Sequence, residues 1–202
     1  MRLIDTHSHF LRSDALVNRY PGESLPSGYV FSAGIHPWHS ADADFACLEQ
    51  MLKMPCVRAV GEAGLDSMRG PSSDVQTAVF RRQIELSESF EKPLLIHCVR
   101  SFQPLLALRR ELRPRQPWII HGFRGKPQMA RQLTSAGLYL SVGPKFNADA
   151  LKEIPADRLL IETDDSETGI EAVAAAVAEN LGCPAALVID SCCGNLNRLL
   201  FP

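Results

Sequence analysis

Six histidines and two acidic residues occupy positions from which they could do chemistry. Each histidine lies at the carboxyl end of a predicted strand or within a few residues beyond it, and the six are His7, His9, His36, His39, His97 and His121. Glu62 and Asp164 also follow predicted strands closely. Neutral imidazole and carboxylate are ligands of Zn²⁺, Mn²⁺ and similar divalent ions. Because the carboxyl ends of barrel strands converge on one site, these positions predict a metal centre.

The number of ligands predicts more than one ion. In His7-Ser8-His9 the two imidazoles lie on the same side of an extended segment, because side chains two residues apart point the same way. The full candidate set is His7, His9, His97, His121, Glu62 and Asp164. Four imidazoles and two carboxylates exceed what one tetrahedral ion requires. We therefore expect two divalent ions, with Mn²⁺ and Zn²⁺ as the candidates that this ligand set suits.

Each of these residues alone also has a simpler interpretation. A single His-x-His pair is weak evidence for a metal, and His97 or His121 alone could be a hydrogen-bonded core residue. Asp164 could cap the helix after the last strand, since Asp is a favourable N-cap residue. Glu162 and Asp165 could be surface charges. The metal interpretation depends on all the positions taken together.

Short apolar runs separated by helical patterns must position these residues. The predicted strands are Arg2–Thr6, Tyr29–Ala33, Val57–Val60, Leu94–Ile96, Trp118–Ile120, Leu138–Val142 and Arg158–Ile161. Continuous apolar runs are typical of parallel strands that are buried on both faces. Apolar residues at helical spacing predict helices near 45–52, 73–90, 102–112, 127–137 and 170–181. Ser73-Asp74-Val75-Gln76 resembles a capping box at the start of the second helix.

Alternating strands and helices predict an α/β fold in a single domain over residues 1–202. A complete (β/α)₈ barrel usually needs about 250 residues, and the pattern shows seven strands rather than eight. The stretch from Leu11 to Gly28 contains two prolines and two glycines and predicts neither a strand nor a helix. We therefore expect a TIM-barrel-like fold that is incomplete or distorted, with about seven parallel strands.

Composition and charge exclude several classes of protein. The 202 residues include 21 Lys and Arg against 23 Asp and Glu, so the net charge of −2 gives no general attraction to nucleic acid or to anionic membranes. The first residues lack a signal-peptide pattern, and no apolar run is long enough to cross a membrane. The six cysteines show no Cys-x-x-Cys spacing and are expected to be buried free thiols. We therefore expect a cytoplasmic protein with no membrane partner.

Six sequence blocks, taken in order, resemble the TatD family of metal-dependent hydrolases, which belongs to the amidohydrolase-like TIM-barrel superfamily. They are Asp5-Thr6-His7-Ser8-His9, Gly34-Ile35-His36-Pro37, Gly61-Glu62-Ala63-Gly64-Leu65-Asp66, Ile96-His97, Ile120-His121-Gly122-Phe123 and Glu162-Thr163-Asp164. The helix with Gln76, Phe80 and Gln83 and the terminal Asn197-Arg198-Leu199-Leu200-Phe201 are also similar to the family. The resemblance spans nearly the whole chain.

The resemblance implies a role for each ligand and a reaction. It places one metal on His7, His9 and Asp164 and a second on His97 and His121, with Glu62 between the two ions. His36 is similar to a family histidine near the substrate rather than to a ligand. TatD-like proteins are described as Mg²⁺- or Mn²⁺-assisted deoxyribonucleases, so the resemblance implies a phosphodiesterase in which metal-activated water attacks phosphorus. Asp164 and Glu62 would be the catalytic carboxylates.

The substrate side of the site departs from the family pattern. The family usually has an extra βα unit where this chain has only Leu11 to Gly28, and the Pro- and Arg-containing loop after the last acid is missing. We expect the phosphate to be held by His36 and by four cations that follow predicted strand ends, namely Arg100, Arg124, Lys126 and Lys145.

Two other functions stay open at this level. The same scaffold could hydrolyse a small amide, lactone or phosphoester, which the shortened loops favour. The chain could also be a non-catalytic, metal-binding subunit that docks on a protein partner or forms a homodimer. The expected substrate under the main interpretation is DNA or a small phosphoester.

Overall fold

Eight short parallel strands in chain order build the fold. The computed structural model describes residues 3–202. The strands are β1 (Asp5–Ser8), β2 (Ala15–Arg19), β3 (Val30–Ala33), β4 (Val57–Asp66), β5 (Leu94–Val99), β6 (Trp118–Ile120), β7 (Tyr139–Val142) and β8 (Leu159–Ile161), and they follow one another in a closed barrel. The predicted TIM-barrel-like α/β fold is confirmed.

Helices fill most of the connections between strands. A 3₁₀ helix at Pro37–Asp42 is followed by α1 (Phe45–Leu52), α2 (Ser73–Ser89), α3 (Phe102–Leu112), α4 (Pro127–Ser135), α5 (Ala148–Leu151), α6 (Ile170–Leu181) and α7 (Ala185–Leu200). The five predicted helical stripes correspond to α1, α2, α3, α4 and α6, whereas α5 and α7 were not predicted. Among the described residues no single helix could cross a membrane, and only α6 and α7 together, bent by 112°, have the length and composition for it.

The prediction of seven strands is wrong by one strand. The stretch from Leu11 to Gly28 contains β2, which pairs in parallel with β1 through Asp5 opposite Ala15 and Ser8 opposite Val17. The barrel is therefore closed rather than incomplete, and this region lacks the connecting helices instead of the strand. Only Ala15 to Val17 is apolar in β2, which is too short a run to stand out beside the neighbouring prolines and glycines.

Six of the seven predicted strands have bounds that differ from the observed ones, and three of these differences move a candidate site residue, His7, Glu62 or His97, into a strand. The first runs from Asp5 to Ser8, so His7 lies inside it, and the predicted start at Arg2 lies outside the described residues. The third predicted strand, Val57–Val60, continues as β4 to Asp66. Its second half is rich in small residues, and the side chain of Glu62 therefore comes from within a strand rather than from a loop.

The predicted capping box at the start of α2 is wrong. The helix begins at Ser73, its N-cap is Ser72, and no side chain caps it by a hydrogen bond. The Gln76 side chain is instead turned to the preceding loop, where its Oε1 accepts a hydrogen bond from the Asp66 N–H at 2.7 Å. A buried amide that satisfies several backbone groups stabilises that loop more than it would the helix end.

The chain divides into two compact units. The first contains the chain up to Val17 together with Ile119–Pro202, and the second contains Asn18–Trp118. Both units contain apolar strand segments, such as Leu94 to Ile96, whose side chains are all fully buried. Burying one such side chain contributes about 1.5–3 kcal/mol to folding. The single domain over residues 1–202 stays a prediction.

Candidate metal centre

In the first unit, backbone hydrogen bonds bring Asp164 beside the His-x-His segment. The Asp164 N–H donates to the His7 carbonyl oxygen at 2.8 Å, and the His9 N–H donates to the Asp164 carbonyl oxygen at 3.2 Å. The backbone of Asp164 is in the left-handed region, with φ of +56°, a conformation that Asp tolerates better than most residues. Asp164 therefore joins the site by continuing the β1–β8 pairing beyond the end of β8.

The side chains of this first cluster lie at distances that suit one cation. The Nε2 atoms of His7 and of His9 each lie 3.5 Å from Asp164 Oδ1. The ring centres of His7 and His121 are 4.3 Å apart. Possible ligand atoms of His7, His121 and Asp164 all lie within 4.8 Å of one another. Two imidazoles and a carboxylate at this spacing fit a divalent ion, whose ligand bonds are about 2.0–2.2 Å long.

Asp5 and Thr163 form a buried hydrogen-bonded pair next to the residues of this cluster. Asp5 accepts hydrogen bonds from Thr163 Oγ1 at 2.6 Å and from the Thr163 N–H at 3.0 Å. Burial raises the pKa of Asp5 to about 6, although the bonds from Thr163 oppose the increase. The two residues precede His7 and Asp164 in the chain, so their contact ties together the segments that carry the ligands.

Glu162 is a buried partner of His121. Its side chain is fully buried, its Oε1 lies 3.5 Å from His121 Nδ1, and the same oxygen accepts a 2.6 Å hydrogen bond from the Gly122 N–H. The interpretation of Glu162 as a surface charge is therefore wrong, whereas Asp165 is exposed as a surface charge should be. A carboxylate beside one ring nitrogen orients the imidazole and leaves the other nitrogen for a metal.

In the second unit, Glu62 is a buried carboxylate surrounded by hydrogen-bonding partners. Its Oε1 lies 2.9 Å from His97 Nδ1 and 3.2 Å from His36 Nε2. Its Oε2 accepts a hydrogen bond from Tyr20 Oη at 3.4 Å. The Glu62 N–H donates to Asn18 Oδ1 at 2.8 Å. Asn18 belongs to β2, so the strand that the sequence did not reveal holds the backbone of the second cluster's carboxylate.

Asp66 lies against the other nitrogen of His97. Its Oδ2 is 3.3 Å from His97 Nε2 and accepts a 2.7 Å hydrogen bond from Trp38 Nε1, while its Oδ1 accepts from the Met68 N–H at 2.8 Å. Burial acts to raise the pKa of Asp66, but the hydrogen bonds from Trp38, Met68 and His97 together hold it below its ordinary value. Asp66 was not among the predicted site residues.

The two carboxylates around His97 fit a cation at its Nδ1. A neutral imidazole carries one N–H and one lone pair, so it can donate to Asp66 or to Glu62 but not to both. Donation of Nε2–H to Asp66 directs the Nδ1 lone pair at Glu62 Oε1. Both atoms could then serve as ligands of a divalent ion, with Asp66 orienting the imidazole as carboxylates commonly do in metalloproteins.

His36 has the geometry of a hydrogen-bond donor to Glu62. Its Nδ1 accepts a hydrogen bond from the Trp38 N–H at 3.2 Å, so a neutral ring must carry its proton on Nε2. That Nε2–H then faces Glu62 Oε1 at 3.2 Å. His36, Glu62 and His97 have possible ligand atoms within 4.8 Å of one another. With its proton on Nε2, the His36 ring is a donor to Glu62, and its predicted place near the substrate stays a prediction.

The four predicted phosphate-binding cations are exposed on loops after strand ends. Arg100 follows β5, Arg124 and Lys126 follow β6, and Lys145 follows β7. Within residues 3–202 none of these four side chains forms an ion pair or a hydrogen bond. Their role stays a prediction, as do the assignments of the ligands. His39, at the end of the 3₁₀ helix, has its ring centre 6.2 Å from that of His36.

The comparison with known proteins assigns a family. A family model described as TatD related DNase matches residues 4–199. The chain belongs to the TatD family. A TatD protein of Edwardsiella piscicida, named as a 3′-5′ ssDNA/RNA exonuclease, is 36% identical over an alignment of 158 residues that covers 70% of this chain and 60% of that protein. YabD of Bacillus subtilis, named as an uncharacterized metal-dependent hydrolase, is 35% identical over an alignment of 151 residues that covers 67% of this chain and 59% of that protein.

Solved TatD structures share the fold. The TatD homologue YjjV from Escherichia coli K12 superposes with a TM-score of 0.82 at 21% identity, covering 98% of both chains. The TatD family hydrolase of Entamoeba histolytica gives a TM-score of 0.74 at 20% identity, covering 85% of this chain and 75% of the other. This chain spans about three fifths of the length of these two curated relatives.

Proposed function

We propose that this TatD-family protein is a divalent-metal-dependent hydrolase that cleaves phosphodiester bonds, with a nucleic acid as its substrate. The observation that carries the proposal is the convergence of imidazole nitrogen and carboxylate oxygen in each unit, on Asp164 in the first and on Glu62 in the second. Relatives named as a metal-dependent hydrolase and as an ssDNA/RNA exonuclease support the same reaction class.

We further propose two ions, with Mg²⁺, Mn²⁺ or Zn²⁺ as candidates and with His7, His9, Glu62, His97, His121 and Asp164 as their ligands. The family resemblance supports the number, and the donor chemistry supports a divalent ion. Such ions supply a lowered pKa for water and polarise the phosphate oxygens.

The side chains of the chain itself supply the remaining functions. Asp164 Oδ1 lies where it can hold a proton that leaves the attacking water, because its side chain is partly exposed beside His7 and His9. Glu62 keeps its position through its partners Tyr20, His36 and His97. A hydrogen bond from His36 Nε2–H would hold the negatively charged Oε1 of Glu62 on the side that faces His36.

The exposed cations provide the attraction that the net charge lacks. Arg100, Arg124, Lys126 and Lys145 lie on loops at the carboxyl ends of strands, and none of their charges is neutralised by a carboxylate among residues 3–202. We propose that they contact phosphate, with the arginines binding two oxygens at once. His36 would contribute to substrate binding by holding Glu62.

The test is metal-dependent hydrolysis of single-stranded oligonucleotides by the purified protein. We expect product with Mn²⁺ or Mg²⁺, none after chelation, and a loss of about 10²–10³-fold in kcat for Asp164→Asn. Asp165→Asn is the matched control, since Asp165 is the adjacent exposed carboxylate, and it should retain the wild-type rate. Equal losses in the two variants would contradict the role of Asp164.

A substrate panel separates the alternatives. Hydrolysis of a dipeptide, a lactone or a nitrophenyl phosphate without hydrolysis of oligonucleotides would indicate a small-molecule hydrolase. Fewer than about one bound ion per chain after reconstitution, with no turnover of any substrate, would indicate a non-catalytic subunit. We also propose a cytoplasmic location, supported by six free cysteines, and a protein partner or homodimer; cell fractionation and sedimentation test these two points.

A further inference from the structure

Arg69 and Trp38 form a stacked pair that no sequence pattern indicated. The guanidinium carbon of Arg69 lies 4.9 Å from the centre of the Trp38 ring. Arg69 is exposed, and Trp38 is 38% exposed although it is a large apolar residue. Among residues 3–202 no carboxylate pairs with the Arg69 guanidinium. The stacking contact orients the guanidinium while its hydrogen-bond donors stay available.

The loop that carries Arg69 is fixed against the backbone of Trp38. Gln76 Nε2 donates hydrogen bonds to the carbonyl oxygens of Asp66, Arg69 and Pro71, each at 2.9 Å. Gly70 has φ of +88°, and a Cβ there would lie 2.9 Å from Trp38 Cα. Only glycine allows that approach. These contacts fix the backbone at Arg69, and the stacking on Trp38 then places its guanidinium.

Trp38 also connects this pair to the metal ligand His97. Its Nε1–H donates to Asp66 Oδ2, and the same oxygen lies 3.3 Å from His97 Nε2. The ring centres of Trp38 and His97 are 5.8 Å apart. Glu62 lies at the opposite nitrogen of His97, so the indole and Asp66 separate Arg69 from the Glu62 end of the cluster.

We propose that Arg69, held on Trp38, binds a phosphate of single-stranded nucleic acid that neighbours the one being cleaved, an inference that rests on the proposed function. A planar guanidinium binds two phosphate oxygens at once. An arginine combined with an exposed aromatic ring is a common way to hold single strands, because bases stack on such rings whatever their sequence. Arg69 is thus a specificity residue for polymeric substrates.

The first experiment measures binding without turnover. Fluorescence anisotropy of a labelled single-stranded decanucleotide, in EDTA and at several KCl concentrations, should show a Kd about tenfold weaker for Arg69→Ala. Its logarithmic salt slope should fall by about 0.7, the amount for one lost phosphate contact on a single strand. Arg69→Lys should recover only part of the affinity, since lysine lacks the stacked, forked group.

Arg158→Ala is the matched control. The Arg158 guanidinium carbon lies 4.7 Å from the centre of the Tyr139 ring, but this pair precedes β8 and so lies at the amino end of that strand. The variant removes the same charge and the same kind of stacking contact. It should bind the decanucleotide like the wild type. Equal weakening by Arg69→Ala and Arg158→Ala, or an unchanged salt slope for Arg69→Ala, would overturn the proposal.

The second experiment separates this proposal from the proposed function. With Mn²⁺, the ratio of kcat/KM for the decanucleotide to kcat/KM for a dinucleoside monophosphate should fall about tenfold in Arg69→Ala. The fall should come from a higher KM for the decanucleotide, with kcat unchanged. An equal loss on both substrates would place Arg69 at the cleaved phosphate and overturn the assignment. If the wild type hydrolyses neither substrate, the proposed function fails, while the anisotropy result still decides whether Arg69 binds the strand.

Discussion

Glu62 and Asp164 are the central carboxylates of the two clusters, and their surroundings differ. The Glu62 side chain is 3% exposed and contacts Tyr20, His36 and His97, whereas that of Asp164 is 25% exposed and contacts His7 and His9. These contacts therefore hold the Glu62 side chain in position without a bound cation. Asp164 is positioned mainly by backbone pairing, and its carboxylate can adjust when a cation binds. Rigid and adjustable carboxylates suit holding an ion and moving a proton, respectively.

The largest expected difference between the clusters is steric. A Cβ on Gly64 would lie 2.0 Å from the His97 carbonyl oxygen, and φ is +141° there, whereas a Cβ on Gly143, beside Glu162, would have its nearest neighbour at 3.6 Å. Gly64→Ala should lower the free energy of unfolding by about 3 kcal/mol or more. Gly143→Ala should change it by no more than about 0.5 kcal/mol. Urea denaturation measures both.

Gly22→Ala serves as the control for backbone strain alone. Gly22 has φ of +91° with nothing within 4 Å of the added Cβ, so the cost should be about 1–2 kcal/mol. A Gly64→Ala loss no greater than this would show that β4 and β5 can move apart. The second cluster would then be no more rigid than the first.

The next-largest expected difference is in metal affinity, and it concerns the carboxylates that contact the ligand histidines, Asp66 beside His97 and Glu162 beside His121. Asp66→Asn should weaken Mn²⁺ binding by about 10–100-fold, because Asp66 accepts the hydrogen bond from Nε2–H that orients the His97 ring. Glu162→Gln should cost about tenfold or less, since the 3.5 Å contact with His121 is longer and the amide oxygen can still accept from the Gly122 N–H. Calorimetric titration measures both affinities. The reverse order of losses would show that the first cluster is the more tightly positioned.

The smallest effect concerns a thiol beside His97. Burial raises the pKa of Cys98 and of Cys192 to about 12, so both are protonated at pH 8.5, and their alkylation should accelerate about tenfold per pH unit. Iodoacetamide labelling followed by peptide mass spectrometry should modify Cys47 well before either. Fast labelling of Cys98 with Cys192 still protected would indicate that β5 opens.

Features that depend on residues adjacent in the sequence could be predicted from the sequence alone. Continuous apolar runs predicted seven of the eight strands. The histidines close to the ends of these runs were predicted as site residues for the same reason. Contacts made between distant segments left no local pattern. Asn18 is polar and buried because the Glu62 N–H and Ser32 Oγ donate to its side chain, and Glu162 is buried because it faces His121 and Gly122. Neither partner can be identified from the adjacent residues.

The hydrogen bonds of Gln76 hold the backbone of one loop, so the conformation of that loop does not depend on most of its side chains. Gln76 contacts only main-chain atoms of the segment from Asp66 to Pro71. Ser67 and Met68, which are exposed there, can thus be exchanged without refolding the segment. Under the proposed function, exchanges at these two positions would change which polymer is preferred while the metal-binding side chains stay the same.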